Sequence, residues 1–255
     1  MPKERIAKVL ARRGVASRRD CELLIKAGRV ALNGAVVVHP GTLIGDDDVL
    51  AVDDKVIASP ERTRLWRYHK PAGLITSAKD PQGRPTVFAA ISGLPRVISV
   101  GRLDINTEGL LLLTNDGELA RYLEHPAQAI PRTYRVRVHG IVSEAALGAL
   151  TKGVTIDGIH YRGVTASIDS SRGSNSWITM TLSEGKNREI KRILEFLGLQ
   201  VTRLIRIGYG PFALGDLPPN ATEEVSADSL LQLLPRYFRR SQPADSARPV
   251  RTGRQ

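Results

Sequence analysis

The stretch Gly101–Gly117, GRLDINTEGLLLLTNDG, decides how the larger part of this chain folds. Its run of leucines, Leu110–Leu113, has the length of a fully buried strand and is far too short for a membrane span. Two carboxylates, Asp104 and Glu108, stand shortly before the leucines. A polar cluster that leads into a buried strand is typical of an active site and also of an ordinary loop. At this point either carboxylate could carry chemistry.

The segments around this stretch predict a mixed α+β domain. Some alternate like strands or are apolar throughout, and others have helical periodicity. The predicted strands are LWRYHKP, RVISV, GLLLLT, RTYRVRVHG, SWITMTLSEG and VTRLIRIGYG, and the predicted helices are GELARYLEH, SEAALGALTKG and KNREIKRILEFLG. Strands outnumber helices and do not alternate strictly with them, which favours a mixed, mainly antiparallel sheet over a doubly wound parallel one.

The N-terminal part predicts a separate small domain, made of two short helices and a small sheet. Apolar residues at helical spacing leave the arginines on the outer face of the first helix, which Gly14 ends. Ser17 is predicted to cap the second helix, and Gly28 to end it. Two short alternating runs on either side of Asn33-Gly34 predict a β-hairpin.

Charge is distributed unevenly along the 255 residues, whose net charge is +11. An excess of this size predicts a polyanionic partner, and nucleic acid is the usual one. We divide the chain into an N-terminal domain over 1–57, a linker over 58–64, a larger domain over 65–235 and a basic tail over 236–255. The tail is predicted to be irregular, and it either holds RNA loosely or serves only for solubility.

Several functional classes are excluded by what the sequence lacks. The single cysteine, Cys21, permits neither a disulfide framework nor a CxxC metal site, and it fits a reducing cytoplasm. There is no GxSxG, no P-loop and no Rossmann glycine fingerprint. No apolar segment approaches the length of a membrane span, and the charged N-terminus is not a signal peptide. Carboxylate chemistry in an RNA-binding protein is what remains.

A catalytic carboxylate needs a rigid setting and a nearby cation, because burial alone raises its pKa. Asp104 has the rigid setting, since its loop joins two predicted apolar strands. Arg102 is close in sequence, and Arg188 and Lys191 lie on a polar stripe of the last predicted helix, which faces the loop if that helix packs beside it. Tyr134 stands between arginines on a strand, where it either stacks on an RNA base or is simply half-buried.

Two sets of motifs resemble known families. The segment RIAKVLARRGVASRRDCELLIKAGRVALNG resembles an S4 RNA-binding domain. The motif GRLDINTEGLLLLTNDGEL, with YHKPAGLITS, RTYRVRV and EGKNREIKRILEFLGLQVTRLIRIGYGPFAL, resembles the RNA pseudouridine synthases of the RsuA/RluB type. The resemblance extends to about Pro218. It implies a small S4 domain of α/β type followed by an α+β pseudouridine synthase catalytic domain.

The resemblance also implies roles for single residues. Asp104 matches the family's essential aspartate, and Tyr134 the tyrosine that stacks on the target uracil and helps to remove a proton late in the reaction. Arg102 matches the arginine that helps to flip or hold the nucleotide. Lys191 stands where the aspartate has its basic partner, as a point charge instead of the forked arginine often found in related branches. The remaining implied contacts are to the base for Leu204, to the substrate for Arg188 and Lys70, and to RNA for Arg5, Arg18, Arg19, Lys26 and Arg29. The family gives Glu108 no catalytic role, so we expect it to be structural.

The function implied is site-specific isomerisation of uridine to pseudouridine in ribosomal RNA. The target base leaves its stack, and Asp104 acts at the ribose as a base or a nucleophile while the C1′–N1 bond breaks. The uracil then turns and rejoins through C5, without a metal, cofactor or second substrate. The N-terminal stretch looks closer to the branch that modifies large-subunit (23S) rRNA, and small-subunit (16S) rRNA is the alternative. We expect a cytoplasmic monomer whose partner is ribosomal RNA and not a membrane.

Two other classes compete with this prediction. A non-catalytic S4-type rRNA-binding assembly factor would share the N-terminal domain, but we expect such a protein to have lost at least one of the residues that match the family's site. A glycosidase with a carboxylate pair would leave the basic N-terminal domain without a role.

Overall fold

A computed structural model describes residues 3–45 and 47–241. Its helices are α1 Ile6–Arg12, α2 Arg18–Lys26, α3 Val87–Ala90, α4 Gly117–Glu124, α5 Glu144–Ala149, α6 Glu189–Phe196, α7 Ala227–Leu233 and α8 Pro235–Ser241. Its strands are β1 Glu4–Arg5, β2 Val30–Leu32, β3 Ala35–Val37, β4 Leu43–Ile44, β5 Leu50–Val52, β6 Lys55–Val56, β7 Leu65–Lys70, β8 Ile98–Val100, β9 Thr107–Thr114, β10 Arg132–His139, β11 Val154–Ile156, β12 Ile159–Tyr161, β13 Thr165–Arg172, β14 Asn175–Leu182, β15 Gln200–Tyr209, β16 Phe212–Ala213 and β17 Thr222–Val225.

The N-terminal domain has the predicted order of two helices followed by a small sheet. Strands β3, β2, β5 and β6 form the sheet, and α1 and α2 share its apolar core. The amide of Asp20 donates to Ser17 Oγ at 3.1 Å, which confirms the predicted cap of α2. Asn33 and Gly34 join β2 to β3 with φ angles of 50° and 84°. Both values lie in the left-handed region that a tight hairpin turn of this kind requires.

The larger domain is built on one mixed sheet with the strand order β13-β14-β10-β15-β9-β7-β17. Strand β16 pairs with β15, and β8 with β9. Neighbouring strands of this sheet are antiparallel except β15 and β9, which run parallel. The predicted mixed, mainly antiparallel sheet is therefore confirmed. The polar strands β13 and β17 lie at the two edges of the sheet. They were not predicted, because an edge strand needs no regular apolar alternation.

The leucine run forms the middle of β9 and is buried on both faces of the sheet. Leu110 and Leu112 pack into one apolar core with helices α4 and α7. Leu111 and Leu113 pack into another, on the opposite face, with side chains from β7. All four leucines have no exposed surface. Burial on both faces explains why this strand is apolar without alternation.

Gly109 permits the close approach of β9 to β15. Its φ of +99° lies in the region that favours glycine, and a Cβ atom at this position would overlap the backbone carbonyl oxygen of Arg206. The parallel register there places Thr107 beside Leu204, Glu108 beside Ile205, and Gly109 beside Arg206. The two central strands of the sheet thus pair over only a few residues, and this close pairing requires a glycine at position 109.

The segment predicted as a linker has no regular structure, but it is held to the larger domain. Thr63 Oγ1 donates to Asp116 at 2.6 Å, and the amide of Arg64 donates to Asn115 at 2.8 Å. An ion pair between Lys8 and Glu118 joins α1 to α4. Within the described ranges, no helix has the length and hydropathy needed to cross a membrane.

The prediction of an irregular tail from Arg236 onward is wrong for its first residues, because residues up to Ser241 belong to α8. Tyr237 is 7% exposed, packs against Leu230 and Leu234, and donates to Asp116 at 2.8 Å. This aromatic side chain anchors the helix to the core. The prediction of an irregular tail relied on the many arginines of this segment and did not take the buried Tyr237 into account. The rest of the predicted tail, 242–255, lies outside the described residues.

Candidate active site

A cavity of about 830 Å³ opens on the larger domain where the loop before β9 faces β10, β15 and α6. Six residues that the sequence predicted as site residues line it: Arg102, Asp104, Tyr134, Arg188, Lys191 and Leu204. They come from distant parts of the chain, and the fold brings them to one opening. The cavity therefore defines the candidate active site.

The loop that carries Asp104 is held from several sides. The amide of Gly101 donates to Glu124 Oε1 at 2.6 Å, and Thr76 Oγ1 donates to the carbonyl of Leu103 at 3.0 Å. The amide of Thr107 closes the turn by donating to the carbonyl of Asp104 at 3.0 Å. The Asp104 side chain nevertheless remains 39% exposed. The loop thus presents an accessible carboxylate on a fixed backbone, as a catalytic group requires.

Lys191 approaches Asp104 because α6 buries its apolar side. Ile190, Ile193 and Leu194 pack into the core beneath the helix, which leaves Lys191 facing the loop. Its Nζ atom lies 3.7 Å from Asp104 Oδ2, and its side chain is only 14% exposed. Lys191 thus places a positive charge beside the Asp104 carboxylate. Among the described residues, no group donates a hydrogen bond to the Asp104 side chain, so its oxygens are available to a substrate.

Tyr134 and Leu204 form the apolar wall of the cavity. They lie on neighbouring strands, where Tyr134 pairs with Arg206 and Leu204 with Val136. Because side chains alternate along a strand, Tyr134, Leu204 and Arg206 all point to the cavity face. Tyr134 packs against two separate apolar cores, and Leu204 is 6% exposed. A planar base can lie against this wall.

Glu108 points away from the cavity. Its position beside Ile205 puts it on the opposite face of the sheet, where it accepts two hydrogen bonds from Arg203, both at 2.8 Å. The guanidinium of Arg203 holds the pKa of the Glu108 carboxyl below its ordinary value. The two carboxylates that were equivalent in the sequence are therefore separated by the sheet itself.

The structure does not place Lys70 in the cavity lining, contrary to the predicted substrate contact. Its side chain has no exposed surface, and its Nζ donates to the carbonyls of Pro71, Ile105 and Thr107 at 3.0, 3.1 and 2.8 Å. Burial lowers the pKa of Lys70 to about 8, against the opposing influence of Glu108 and Asp104. Lys70 therefore supports the backbone of the Asp104 loop from behind.

The turn before α6 brings Arg188 and Lys186 to the cavity. Arg188 has a φ of 52° and stands at the N-terminus of the helix. Glu189 is 4% exposed and accepts a hydrogen bond from the Lys186 amide at 2.9 Å, which closes the turn. Burial, together with the nearby Glu184, raises the pKa of Glu189 to about 7. This buried carboxyl shapes the cavity rim and was not predicted.

Three arginines that were not predicted as site residues also line the cavity: Arg84, Arg132 and Arg206. Arg206 is 2% exposed and interrupts an apolar strand. Its position within the otherwise apolar pattern LIRIGY is a signal from which Arg206 could have been predicted as a site residue. Arg132 opens β10 and gives no such signal, because arginines alternate along that strand.

The S4-like residues predicted to bind RNA lie apart from the cavity and are all exposed: Arg5, Arg18, Arg19, Lys26 and Arg29. Arg29 forms an ion pair with Asp53, and Arg18 lies 3.6 Å from Glu22. The other three form no ion pair with any described residue. Their charges are thus open to an external polyanion.

Comparison with known families gives two matches that together span most of the chain. A family model described as RNA pseudouridylate synthase matches residues 64–196. A model of the S4 domain matches residues 4–50. The first match contains the Asp104 loop, Tyr134 and Lys191, and the second contains the exposed basic residues of the N-terminal domain.

Individual relatives resemble the chain over nearly its whole length. An uncharacterized RNA pseudouridine synthase of Rickettsia bellii is 48% identical over 223 residues, which cover 88% of this chain and 97% of the relative. The ribosomal large subunit pseudouridine synthase B of Salmonella typhimurium is 42% identical over 221 residues, or 83% of this chain and 75% of the relative. A crystal structure of a pseudouridylate synthase is similar with a TM-score of 0.62 and 26% identity, covering 90% of this chain and 99% of that one.

Proposed function

The chain belongs to the RNA pseudouridylate synthase family, and from this premise we propose that it isomerises a uridine of large-subunit (23S) ribosomal RNA. Membership of the family makes the chain an isomerase that acts on RNA, with an S4 RNA-binding domain. The similarity to the Salmonella typhimurium relative, whose name refers to the large ribosomal subunit, is the observation that supports the choice of RNA. Such a substrate fits a cytoplasmic enzyme.

We assign the first chemical step to Asp104. The nearby Lys191 places a positive charge beside its carboxylate, and the exposed oxygens can reach a ribose that enters the cavity. Asp104 either bonds to C1′ as a nucleophile or removes a proton from the ribose as a base. In both cases the C1′–N1 bond breaks and its electron pair leaves with the uracil.

We assign the handling of the detached base to the apolar wall. Tyr134 stacks on the uracil and Leu204 packs against it, so the ring can turn without leaving the cavity. C5 then bonds to C1′, either as the Asp104–C1′ bond breaks or as Asp104 returns its proton to the ribose. The proton on C5 is lost with help from Tyr134, and N1 gains a proton. Atoms and electrons balance with no second substrate. Enclosure matters, because water that reached the intermediate would leave an abasic site.

Arg102 and Arg188 are proposed to hold the flipped nucleotide at the cavity rim. Both line the cavity, and neither forms an ion pair with a described residue. The exposed basic residues of the S4 domain would bind RNA further from the target and offset the cost of unstacking the base, which is a few kcal/mol. Replacing Arg19 and Lys26 by alanine should then reduce the salt dependence of RNA binding, by about 0.7–0.9 in log–log slope for each lost phosphate contact.

Tritium release tests the proposed substrate, because the reaction removes the hydrogen on C5. Transcripts of 23S and 16S rRNA labelled with [5-³H]uridine are incubated separately with the enzyme, and pseudouridine is mapped in the product. Release from 23S rRNA alone is expected. Release from 16S rRNA alone would replace the proposed substrate with the small-subunit alternative. Release from neither would remove ribosomal RNA as the substrate and favour a binding protein of the S4 type.

A further inference from the structure

The cavity extends beyond the residues assigned above to a cluster of Arg132, Arg206 and Tyr209, which we call the arginine subsite. Arg132 begins β10, Tyr209 ends β15, and the two pair across the strands. The Cζ atoms of Arg132 and Arg206 lie over the Tyr209 ring, 4.9 and 5.0 Å from its centroid. Two guanidinium groups are thus gathered on one aromatic ring inside the cavity.

Neither of these two cations forms an ion pair with a described carboxylate. In the described part of the chain, neither guanidinium has an Asp or Glu oxygen within 4.0 Å. Glu124 also lines the cavity, but its Oε1 atom accepts the hydrogen bond from Gly101. Partly enclosed cations without a counter-ion are costly, unless a ligand supplies the negative charge.

The arginine subsite also has hydrogen-bonding capacity that the protein leaves unused. Arg206 is 2% exposed, and its Nε donates to the Leu110 carbonyl at 2.7 Å, while its Nη2 is buried without a partner. Arg132 donates to the Ile130 carbonyl and to the Tyr209 hydroxyl, both at 3.1 Å. A buried donor without a partner points to an acceptor that arrives with a ligand.

Tyr209 cannot supply the missing negative charge. Burial raises the pKa of its phenol, although both arginines oppose the shift. Its O–H group donates to the Leu123 carbonyl at 2.9 Å. The phenol therefore remains protonated at neutral pH, and the subsite keeps its two positive charges.

We propose that the arginine subsite binds a phosphodiester group of the RNA strand beside the target uridine. Phosphates are the anionic groups of RNA, and arginine matches them with paired N–H donors. Arg206 is the cross-strand neighbour of Tyr134, so the bound phosphate would hold the backbone while the base lies against Tyr134. The inference rests on the proposed function only in requiring an RNA substrate, and it holds for either ribosomal subunit.

Neutral phosphate analogues test this proposal. A short RNA that the wild-type enzyme modifies is prepared with one methylphosphonate at a time, from two nucleotides before the target uridine to two after it. Pseudouridine formation is measured as kcat/KM for each RNA. With the wild type, one position should lower kcat/KM about tenfold or more, as for a lost charge-assisted hydrogen bond. Arg132→Met should lower kcat/KM on the unmodified RNA by a similar factor and show no further loss at that position.

Two variants control this experiment. Arg132→Lys keeps the charge and should retain part of the sensitivity. Arg135→Met removes an arginine three positions along the same strand, which faces the opposite side of the sheet, lies over Trp177 and pairs with Asp169. It should respond to every methylphosphonate as the wild type does. Arg206 is left intact because its burial makes it a risk to folding, and melting temperatures verify that each variant is folded.

Two results would overturn the proposal. One is an Arg132→Met enzyme that loses as much as the wild type at every methylphosphonate. The other is a wild-type enzyme whose kcat/KM is the same on every methylphosphonate RNA as on the unmodified RNA. Failure of the proposed function looks different, because the wild type would then form no pseudouridine in ribosomal RNA at all. In that case the same scan is made on an RNA that the enzyme does modify.

Discussion

The two faces of the sheet where β9 meets β15 carry similar groups in different arrangements. On the cavity face, Asp104 has a lysine at 3.7 Å and is 39% exposed. On the opposite face, Glu108 is 18% exposed and is held by both arms of the Arg203 guanidinium at 2.8 Å. Each of these pairs joins one carboxylate to one cation, yet only the first leaves the carboxylate oxygens open.

The difference shows how partner chemistry separates a reactive carboxylate from a structural one. A forked guanidinium occupies both oxygens of a carboxylate, whereas a lysine at longer range supplies charge and leaves them free. The same contrast applies to the cations. Arg203 is matched by Glu108, while Arg132 and Arg206 on the cavity face have no carboxylate partner among the described residues.

Breaking the junction between the two faces should have the largest effect. Gly109→Ala puts a Cβ atom onto the Arg206 carbonyl at a φ of +99°. We expect a loss of about 4 kcal/mol or more in the free energy of unfolding, or failure to fold. Denaturant unfolding measures this, with Gly148→Ala as the control, since a Cβ atom there meets nothing within 4 Å. Equal stability of the two variants would contradict the account of the junction.

Removing the reactive carboxylate should have the largest effect on activity. Asp104→Asn keeps the shape of the side chain and removes its charge, so tritium release should fall at least about 100-fold, the scale for a key catalytic group. Glu108→Gln is the matched control on the opposite face and should retain nearly full activity. If Asp104→Asn keeps more than about a hundredth of the wild-type rate, the assignment of Asp104 is wrong.

Weakening the support behind the cavity face should cost less. Lys70→Met leaves the carbonyls of Pro71, Ile105 and Thr107 without their donor, and we expect about 2 kcal/mol of destabilisation. Activity should fall as well, because Ile105 and Thr107 flank the Asp104 loop. Exposed Lys152→Met is the control for loss of a lysine. A Lys70→Met protein with wild-type melting temperature and rate would disprove the supporting role.

Breaking the ion pair of the opposite face should have the smallest effect. Glu108→Gln is expected to cost up to about 1 kcal/mol at pH 7, the range for partly exposed pairs. Because the folded protein lowers the pKa of Glu108, this contribution is present above the ordinary value of 4.5 and is lost as pH falls through the lowered value. Unfolding measured from pH 7 to pH 3 should therefore show the two proteins converging in acid. A constant difference across this range would contradict the linkage.

Much of the fold could be predicted because its signals are local. The cap at Ser17, the turn at Asn33-Gly34 and the buried strand through Leu110–Leu113 each depend on residues a few positions apart. The helix at the end of the described chain was missed, because Tyr237 stabilises it through contacts with a distant core. The substrate contact predicted for Lys70 failed for a similar reason, since no local pattern reports that its ammonium lies beneath the loop.

The sequence by itself determined the central strands of the sheet, several of the helices, the basic N-terminal domain and the motifs by which the family is recognised. It also narrowed the chemistry to two carboxylates four positions apart. Only the tertiary structure decided which of the two faces the cavity. The parallel register of β9 and β15 directs Glu108 to Arg203 and leaves Asp104 facing Lys191. Periodicity depends on neighbours along the chain, whereas the partner of a side chain depends on which strands and helices pack together.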